Sequence, residues 1–256
     1  ALAAVLAGRG SRRVLAHGTG AVTTGDTALL DLEARVQQPL CVRWARGQLA
    51  LTMAGRFANG ASLRGELQQD GAVFASDTDA ETLLHLIARS DNRTFVNRLV
   101  DALWKVRGAY ALVVASQDIV AAVRDPLGLR PLAMGLLDGG ALFASEDTAL
   151  HALGCTEVRE VQPGEMVIVD KDRVQAVRPF PRRPAAAGVE DVLALARNDA
   201  FVHGHANYRV RRELGRALAA QQPCHSATTV VGTPDAGVPA AIGYARAASL
   251  PFEHGL

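Results

Sequence analysis

The sequence predicts an α+β fold over its first two thirds and a shorter α/β segment after it, and three groups of residues carry that reading. Residues 108–115, 119–132 and 141–146 are apolar β-type runs separated by the turn signals Gln117-Asp118 and Asp138-Gly139-Gly140, the pattern of neighbouring antiparallel strands. Ahead of them, residues 62–69, 78–88 and 94–106 carry apolar residues at helical spacing. Behind them, Thr228–Val231, a glycine-bounded loop and residues 237–245 read as buried strand, loop and helix, the unit from which parallel α/β sheets are built.

Composition narrows the class. With 256 residues, 49% hydrophobic and 21% charged, the chain has the make-up of a soluble globular protein of one large or two small domains. It contains no run of about 18 apolar residues, so no membrane span or membrane partner is predicted. The apolar stretch Ala1–Ala7 is short and has no basic leader, which reads against a secretory signal and for a cytoplasmic protein. Net charge is +1 with dispersed arginines, which argues against a nucleic-acid surface. Cys41, Cys155 and Cys224 are odd in number and far apart, as reduced thiols are; no metal site or cofactor motif is evident.

Taken in order, Ala1–Ala7 reads as the end of a helix. Residues 15–25 form a Gly/Thr-rich turn whose N–H groups could face an anion, although the lysine and spacing of a P-loop are absent. His17 within it reads as a capping or partly exposed histidine. Cys41–Ala45 and Gln48–Met53 read as a hairpin turning at Arg46-Gly47. Ser62–Gln69 is a short helix with Leu63 and Leu67 on one face. Thr78 as N-cap and Glu81 three residues on form a capping box ahead of Leu83, Leu84, Leu86 and Ile87. Asp79, in that first turn, reads on its own chemistry as a complement to the helix dipole. His85 reads as a surface or core histidine. Residues 94–106 are an amphipathic helix carrying Val96, Leu99, Val100, Leu103 and Trp104. Arg124–Leu132 packs Pro126, Pro131, Gly128, two arginines and Asp125 into nine residues, a rigid corner in which Asp125 is within reach of Arg124 or Arg130. Asp147–Leu153 is a helical turn closed by Gly154, residues 158–170 end in a strand, and Tyr208–Ala220 is a helix. Residues 179–188 read as a linker between a domain at 1–178 and one at 189–256.

The corner Arg-Asp-Pro-Leu-Gly-Leu-Arg-Pro-Leu at 124–132, followed by Ala-Ser-Glu at 144–146 and Val-Arg-Glu-Val-Gln-Pro-Gly-Glu at 158–165, resembles the class II, N-terminal-nucleophile glutamine amidotransferase domain. Thr-Pro-Asp-Ala-Gly-Val-Pro-Ala-Ala-Ile-Gly-Tyr-Ala at 233–245 narrows the resemblance to the amidophosphoribosyltransferase family. That resemblance implies a four-layer αββα sandwich followed by a partial α/β phosphoribosyltransferase-like segment. It implies the family reaction, glutamine-dependent amination of phosphoribosyl pyrophosphate to phosphoribosylamine at the start of purine synthesis. It also implies a homo-oligomer, glutamine, phosphoribosyl pyrophosphate or nucleotide as small-molecule ligands, and magnesium only where a complete phosphoribosyltransferase site exists.

Residue by residue, the resemblance places a glutamine-pocket remnant at Thr24, Gly55 and Asp79, and a pyrophosphate-loop remnant at Gly232, Thr233, Pro234, Asp235 and Gly237. It also marks departures: Ala1 in place of the nucleophilic cysteine, Ala21 in place of the arginine that grips the substrate carboxylate, and Ala54 in place of the asparagine that donates to the oxyanion. Loss of one such donor typically costs about two to three orders of magnitude in rate. The family's opening strand would lie upstream of residue 1, and its flap and paired aspartates beyond Leu256. No catalytic residue is assigned. The glutaminase reads as lost; an active enzyme represented in part, and a non-catalytic binding or regulatory protein, stand as alternatives.

Overall fold

A computed structural model describes residues 3–7, 20–24, 27–31, 39–116, 119–170, 173–186, 188–189, 193 and 195–255. The chain divides into two compact units, Ala1–Ala187 and Gly188–Leu256.

The first unit opens with three strands, β1 (Ala3–Ala7), β2 (Gly20–Thr24) and β3 (Thr27–Asp31), followed by the hairpin β4 (Leu40–Trp44) and β5 (Gly47–Phe57). Helices α1 (Gly60–Gln69), α2 (Asp79–Arg89) and α3 (Phe95–Lys105) come next. Then follow β6 (Gly108–Ala115), β7 (Ile119–Arg124), β8 (Ala133–Leu137), β9 (Gly140–Ala144), α4 (Asp147–Ala152), β10 (Thr156–Glu160), β11 (Met166–Asp170) and β12 (Arg173–Val177). They form two six-stranded sheets, ordered β12-β11-β7-β6-β5-β4 and β10-β8-β9-β1-β3-β2, and every pairing within them is antiparallel.

Side-chain alternation sorts the sheets into layers. On β5 and β6, Leu49, Leu51, Phe57, Tyr110, Leu112 and Val114 face α1–α3, whose Leu63, Leu67, Leu83, Ile87, Leu99 and Leu103 complete one core. The opposite faces supply Ala50, Ala111, Val113 and Ala115, which meet Met134 and Phe143 of the second sheet and Leu132 just before it. On that sheet's far side, Ala133, Leu142 and Ala144 pack with Leu150 of α4 and Cys155. Helices, sheet, sheet and helix give the four-layer αββα sandwich.

Several readings are corrected, among them the turn read over 15–25, of which residues 20–24 form strand β2. Residues 3–7 are a strand between β3 and β9, not a helix end: Val5 pairs with both Leu29 and Phe143. A run of small apolar residues without a cap is ambiguous between helix and strand, and tertiary pairing decides it. The three apolar runs after residue 108 are not one set of neighbours, since β6 and β7 lie in one sheet and β9 in the other, and the missed strand β8 supplies the partner of β9. Trp104 is 57% exposed instead of facing the core, its ring 5.9 Å from that of Phe180. The hairpin holds, with Trp44 opposite Gly47; the turn signal Gln117-Asp118 lies outside the described residues.

The corner at 124–132 carries the chain from the first sheet to the second. Such a crossing buries backbone groups that need partners. Arg124, 2% exposed, donates from Nε to Arg130 O at 2.8 Å, from Nη1 to Val161 O at 2.7 Å and from Nη2 to Gly128 O at 3.1 Å. Asp125, fully buried, accepts from the N–H groups of Leu127 at 3.0 Å and Arg130 at 3.1 Å. Nearby, Glu165 takes a two-pronged bond from Arg159, at 3.1 and 2.7 Å, and the N–H of Gln162 at 2.6 Å, which accounts for the Arg and terminal Glu of the 158–165 motif.

Segment 179–186 packs on this unit: Phe180 lies in the helical core and Ala186 N donates to Leu127 O at 2.8 Å. The second unit contains β13 (Phe201–Val202), β14 (His205–Ala206), α5 (Asn207–Gln221), β15 (Val230–Val231), α6 (Gly237–Ala248) and β16 (Phe252–Glu253). The predicted strand, loop and helix are followed by a strand the sequence reading did not include, β16, which pairs in parallel with β15 across α6. Val231 is 46% exposed instead of buried, because α6 covers only one side of this two-stranded sheet among the described residues.

Removing a buried acceptor leaves its donors unpaired at about 1–3 kcal/mol each. Asp125→Ala should therefore lower stability by about 3 kcal/mol or more in urea unfolding. Asp70→Ala, which breaks the exposed pair with Arg89 at 3.2 Å, should cost under about 1 kcal/mol.

Candidate functional site

The first candidate site is built at the far end of β5. Strand β4 pairs only with Gly47–Leu51, so β5 continues beyond its neighbour. There Phe57 N donates to Asp79 Oδ2 at 2.9 Å. Gly55, two residues earlier, has φ +120°, and a Cβ on it would overlap Ala109 O of β6. Gly60 leaves room for the Asp79 carboxylate, since a Cβ there would meet Asp79 Oδ1. Asn59 fastens the turn by accepting from Arg107 N and donating to Lys105 O, both at 2.8 Å. Ala54 sits opposite Ala111 on β6 and, by strand alternation, shares the face of Ala50 that looks toward the second sheet.

Asp79 is held in place by the start of α2. Thr78 Oγ1 accepts from Glu81 N at 3.2 Å, as an N-cap does. Glu81 does not return the bond to Thr78; its carboxylate reaches further back, to Ala75 N at 2.7 Å, Ser76 N at 2.6 Å and Ser76 Oγ at 2.7 Å. Burial alone would raise its pKa, but the bonds from Ala75 and Ser76 outweigh burial and hold the carboxyl below the ordinary glutamate range. The same loop is clamped at Phe74, with the Arg64 guanidinium 4.1 Å from the ring centre on one side and the His85 ring at 4.4 Å on another.

The structure thus brings Gly55 and Asp79 to one strand end. Thr24 is the last residue of β2, paired with Thr27, and Ala21 pairs with Leu30; their side chains lie outside the described residues, as do Ala1 and His17. Cys41 is exposed on β4 opposite Ala50, and Cys155 packs against Gly135 of β8, its thiol pushed up by burial. A groove of about 470 Å³ floored by Leu63, Leu67 and Leu86 contains neither Gly55 nor Asp79. Asn59 and Gly60 were not singled out by sequence reasoning; the Asn that closes the Gly-x-Phe-x-Asn run was the available signal.

In the second unit, the loop 232–237 runs into α6. Gly232 lets the strand end pack directly on Val238, where a Cβ would stand 2.8 Å from its Cα. Gly237 N donates to Thr233 O at 2.9 Å, and Thr233, Pro234 and Asp235 are exposed. Asn198 Nδ2 donates to Asp235 O at 3.0 Å, and buried Arg211 in turn donates to Asn198 Oδ1 at 2.6 Å and Ala196 O at 2.8 Å. The expected pyrophosphate-loop residues therefore lie in one loop, which Arg211 on α5 braces at Asp235 O through Asn198.

The glutamine amidotransferase domain model matches residues 26–152. Amidophosphoribosyltransferase of Rhizobium etli is 36% identical over 239 residues, covering 91% of this chain and 47% of the relative, and that of Bacillus subtilis is 34% identical over 220 residues, covering 86% and 46%. A solved structure of the B. subtilis glutamine phosphoribosylpyrophosphate amidotransferase, complexed with ADP and GMP, matches with a TM-score of 0.84 at 32% identity, over 90% of this chain and 52% of that one. The chain belongs to the amidophosphoribosyltransferase family. It spans about half the length of the curated family members it matches.

Because Glu81 has a depressed folded pKa, its contribution to stability is present above the unfolded value and is lost as pH falls through the folded one. Glu81→Gln should therefore unfold at lower urea than the parent at pH 7. The gap between the two midpoints should close in acid, below the ordinary carboxylate pKa of about 4.

Proposed function

We propose that this member of the amidophosphoribosyltransferase family keeps a remnant amino-acid pocket but does not hydrolyse glutamine. The observation that carries the reading is Ala54, next to Gly55 on the strand that Asp79 fastens at Phe57, where the family supplies an asparagine donor. Amide hydrolysis by a thiol needs a donor at the developing oxyanion, and a methyl group donates nothing. Ala21 removes the carboxylate clamp in the same way. What remains is binding chemistry: Thr24, which the family resemblance adds to the pocket, the close backbone approach that Gly55 permits, and the Asp79 carboxylate, which accepts from Phe57 N and would meet an ammonium group.

In the second unit we assign the loop Gly232, Thr233, Pro234, Asp235 and Gly237, exposed at its middle three residues, to a diphosphate, in keeping with the family's use of phosphoribosyl pyrophosphate. Among the described residues no three His, Cys, Asp or Glu side chains converge as metal ligands, and Asp235 stands alone in the loop, so these residues do not by themselves make a magnesium site. The same proposal carries a homo-oligomer and a nucleotide ligand, and a cytoplasmic location. No helix among the described residues is long and apolar enough to cross a membrane. A second reading, an active amidophosphoribosyltransferase of which this chain is one part, is favoured by the greater length of its relatives.

Glutamate release from glutamine by the purified chain separates the two. We expect release no faster than in buffer, and no rescue by Ala54→Asn alone. Turnover that a thiol-directed inhibitor abolishes would overturn the proposal. Calorimetric titration with glutamine should show weak binding that Asp79→Asn removes; a silent parent protein would leave the pocket with no ligand role.

A further inference from the structure

Helices α5 and α6 cross in backbone contact. A Cβ on Gly215 would overlap Ala240 O, and one on Gly243 would overlap Arg212 O. Beside that crossing lies a cleft of about 250 Å³ lined by Arg212, Glu213, Arg216, Gly243, Arg246 and Ala247. Its floor at Gly243 and Ala247 carries no side chain beyond a methyl group, and its walls are guanidinium groups. The two helices together hold five arginines against one glutamate.

The single acid does not neutralise the cleft. Glu213 is engaged by Arg216 at 2.8 Å, and its carboxyl is held below the usual range by that bond first, with Arg212 and Arg209 adding to it. Arg212 and Arg246 make no hydrogen bond or ion pair among the described residues. Arg211, the fifth, is committed to Asn198, Leu193 O and Ala196 O on the buried side of α5. Two unengaged guanidiniums therefore face one cleft with a third at its rim. Planar forks of this kind match phosphate oxygens two at a time. The volume sets the size of guest: cavities that enclose drug-sized ligands run from about 300 to 1,000 Å³, so this one suits a diphosphate and leaves an attached nucleoside outside.

We infer that the α5–α6 cleft is an anion site for a diphosphate group, free or carried on a nucleotide, separate from the loop at 232–237. Calorimetric titration should show inorganic pyrophosphate and ADP binding, and adenosine not binding; binding of pyrophosphate alone would identify the free anion as the ligand. Arg246→Ala and Arg212→Ala should each weaken pyrophosphate by about tenfold or more, the range of a charge-assisted bond. Arg246→Lys, which keeps the charge and loses the fork, should fall between. Raising the salt should weaken binding throughout. In amide spectra of the labelled protein, pyrophosphate should shift Arg212, Gly243 and Ala247. No binding by the parent, shifts confined to Thr233–Gly237, or full affinity in correctly folded Arg246→Ala would overturn the inference.

Discussion

The first unit depends on how one buried arginine and one buried aspartate let the chain leave one sheet and enter the other. Between β7 and β8 the backbone passes through the sandwich, where unpaired carbonyls and amides are costly. Arg124 caps three carbonyls and Asp125 takes two amides, so the passage is lined with satisfied groups. The corner also reaches the candidate pocket. Asp125 N donates to Tyr110 O at 2.9 Å, and Tyr110 is the strand partner of Gly55. The Tyr110 phenol, pushed above its ordinary range by burial and then by the charge of Asp125, stays protonated and packs edge-on against Phe57 at 5.8 Å. Corner, strand end and pocket are one connected piece of structure.

The sequence made some of this legible and hid the rest for identifiable reasons. Caps and periodicity announce themselves locally: Thr78 and Thr94 both accept from the amide three residues on, and the apolar faces of α2 and α3 were readable from spacing. Sheet membership is not local. Nothing in residues 108–146 says that β7 and β9 belong to different sheets, because each is an apolar run with the same alternation. Strand β1 was misread because Ala, Val and Leu serve either state and its neighbours are distant in sequence. The corner motif was visible as a density of Pro, Gly, Arg and Asp, and its rigidity was predicted, but its role as a passage between sheets needed the topology.

The candidate pocket shows a similar division. Gly55 and Asp79 were legible through the family motif, and the fold does bring them to one strand end. The partner of Asp79 was not legible, since it is a backbone amide and any residue at position 57 would present one. Likewise the cleft between α5 and α6 could not be read from sequence, because only the crossing of two glycine-marked helices turns scattered arginines into a shared wall.

The bond from Phe57 to Asp79 bears on how such chains diverge. That carboxylate accepts the last amide of β5 whether or not any amino acid ever visits it. Selection for a sound scaffold alone would keep such a residue, because the bond serves the strand end directly. Persistence of this aspartate in a lineage is therefore a record of architecture, and a survey that took it as a badge of working chemistry would count too many enzymes.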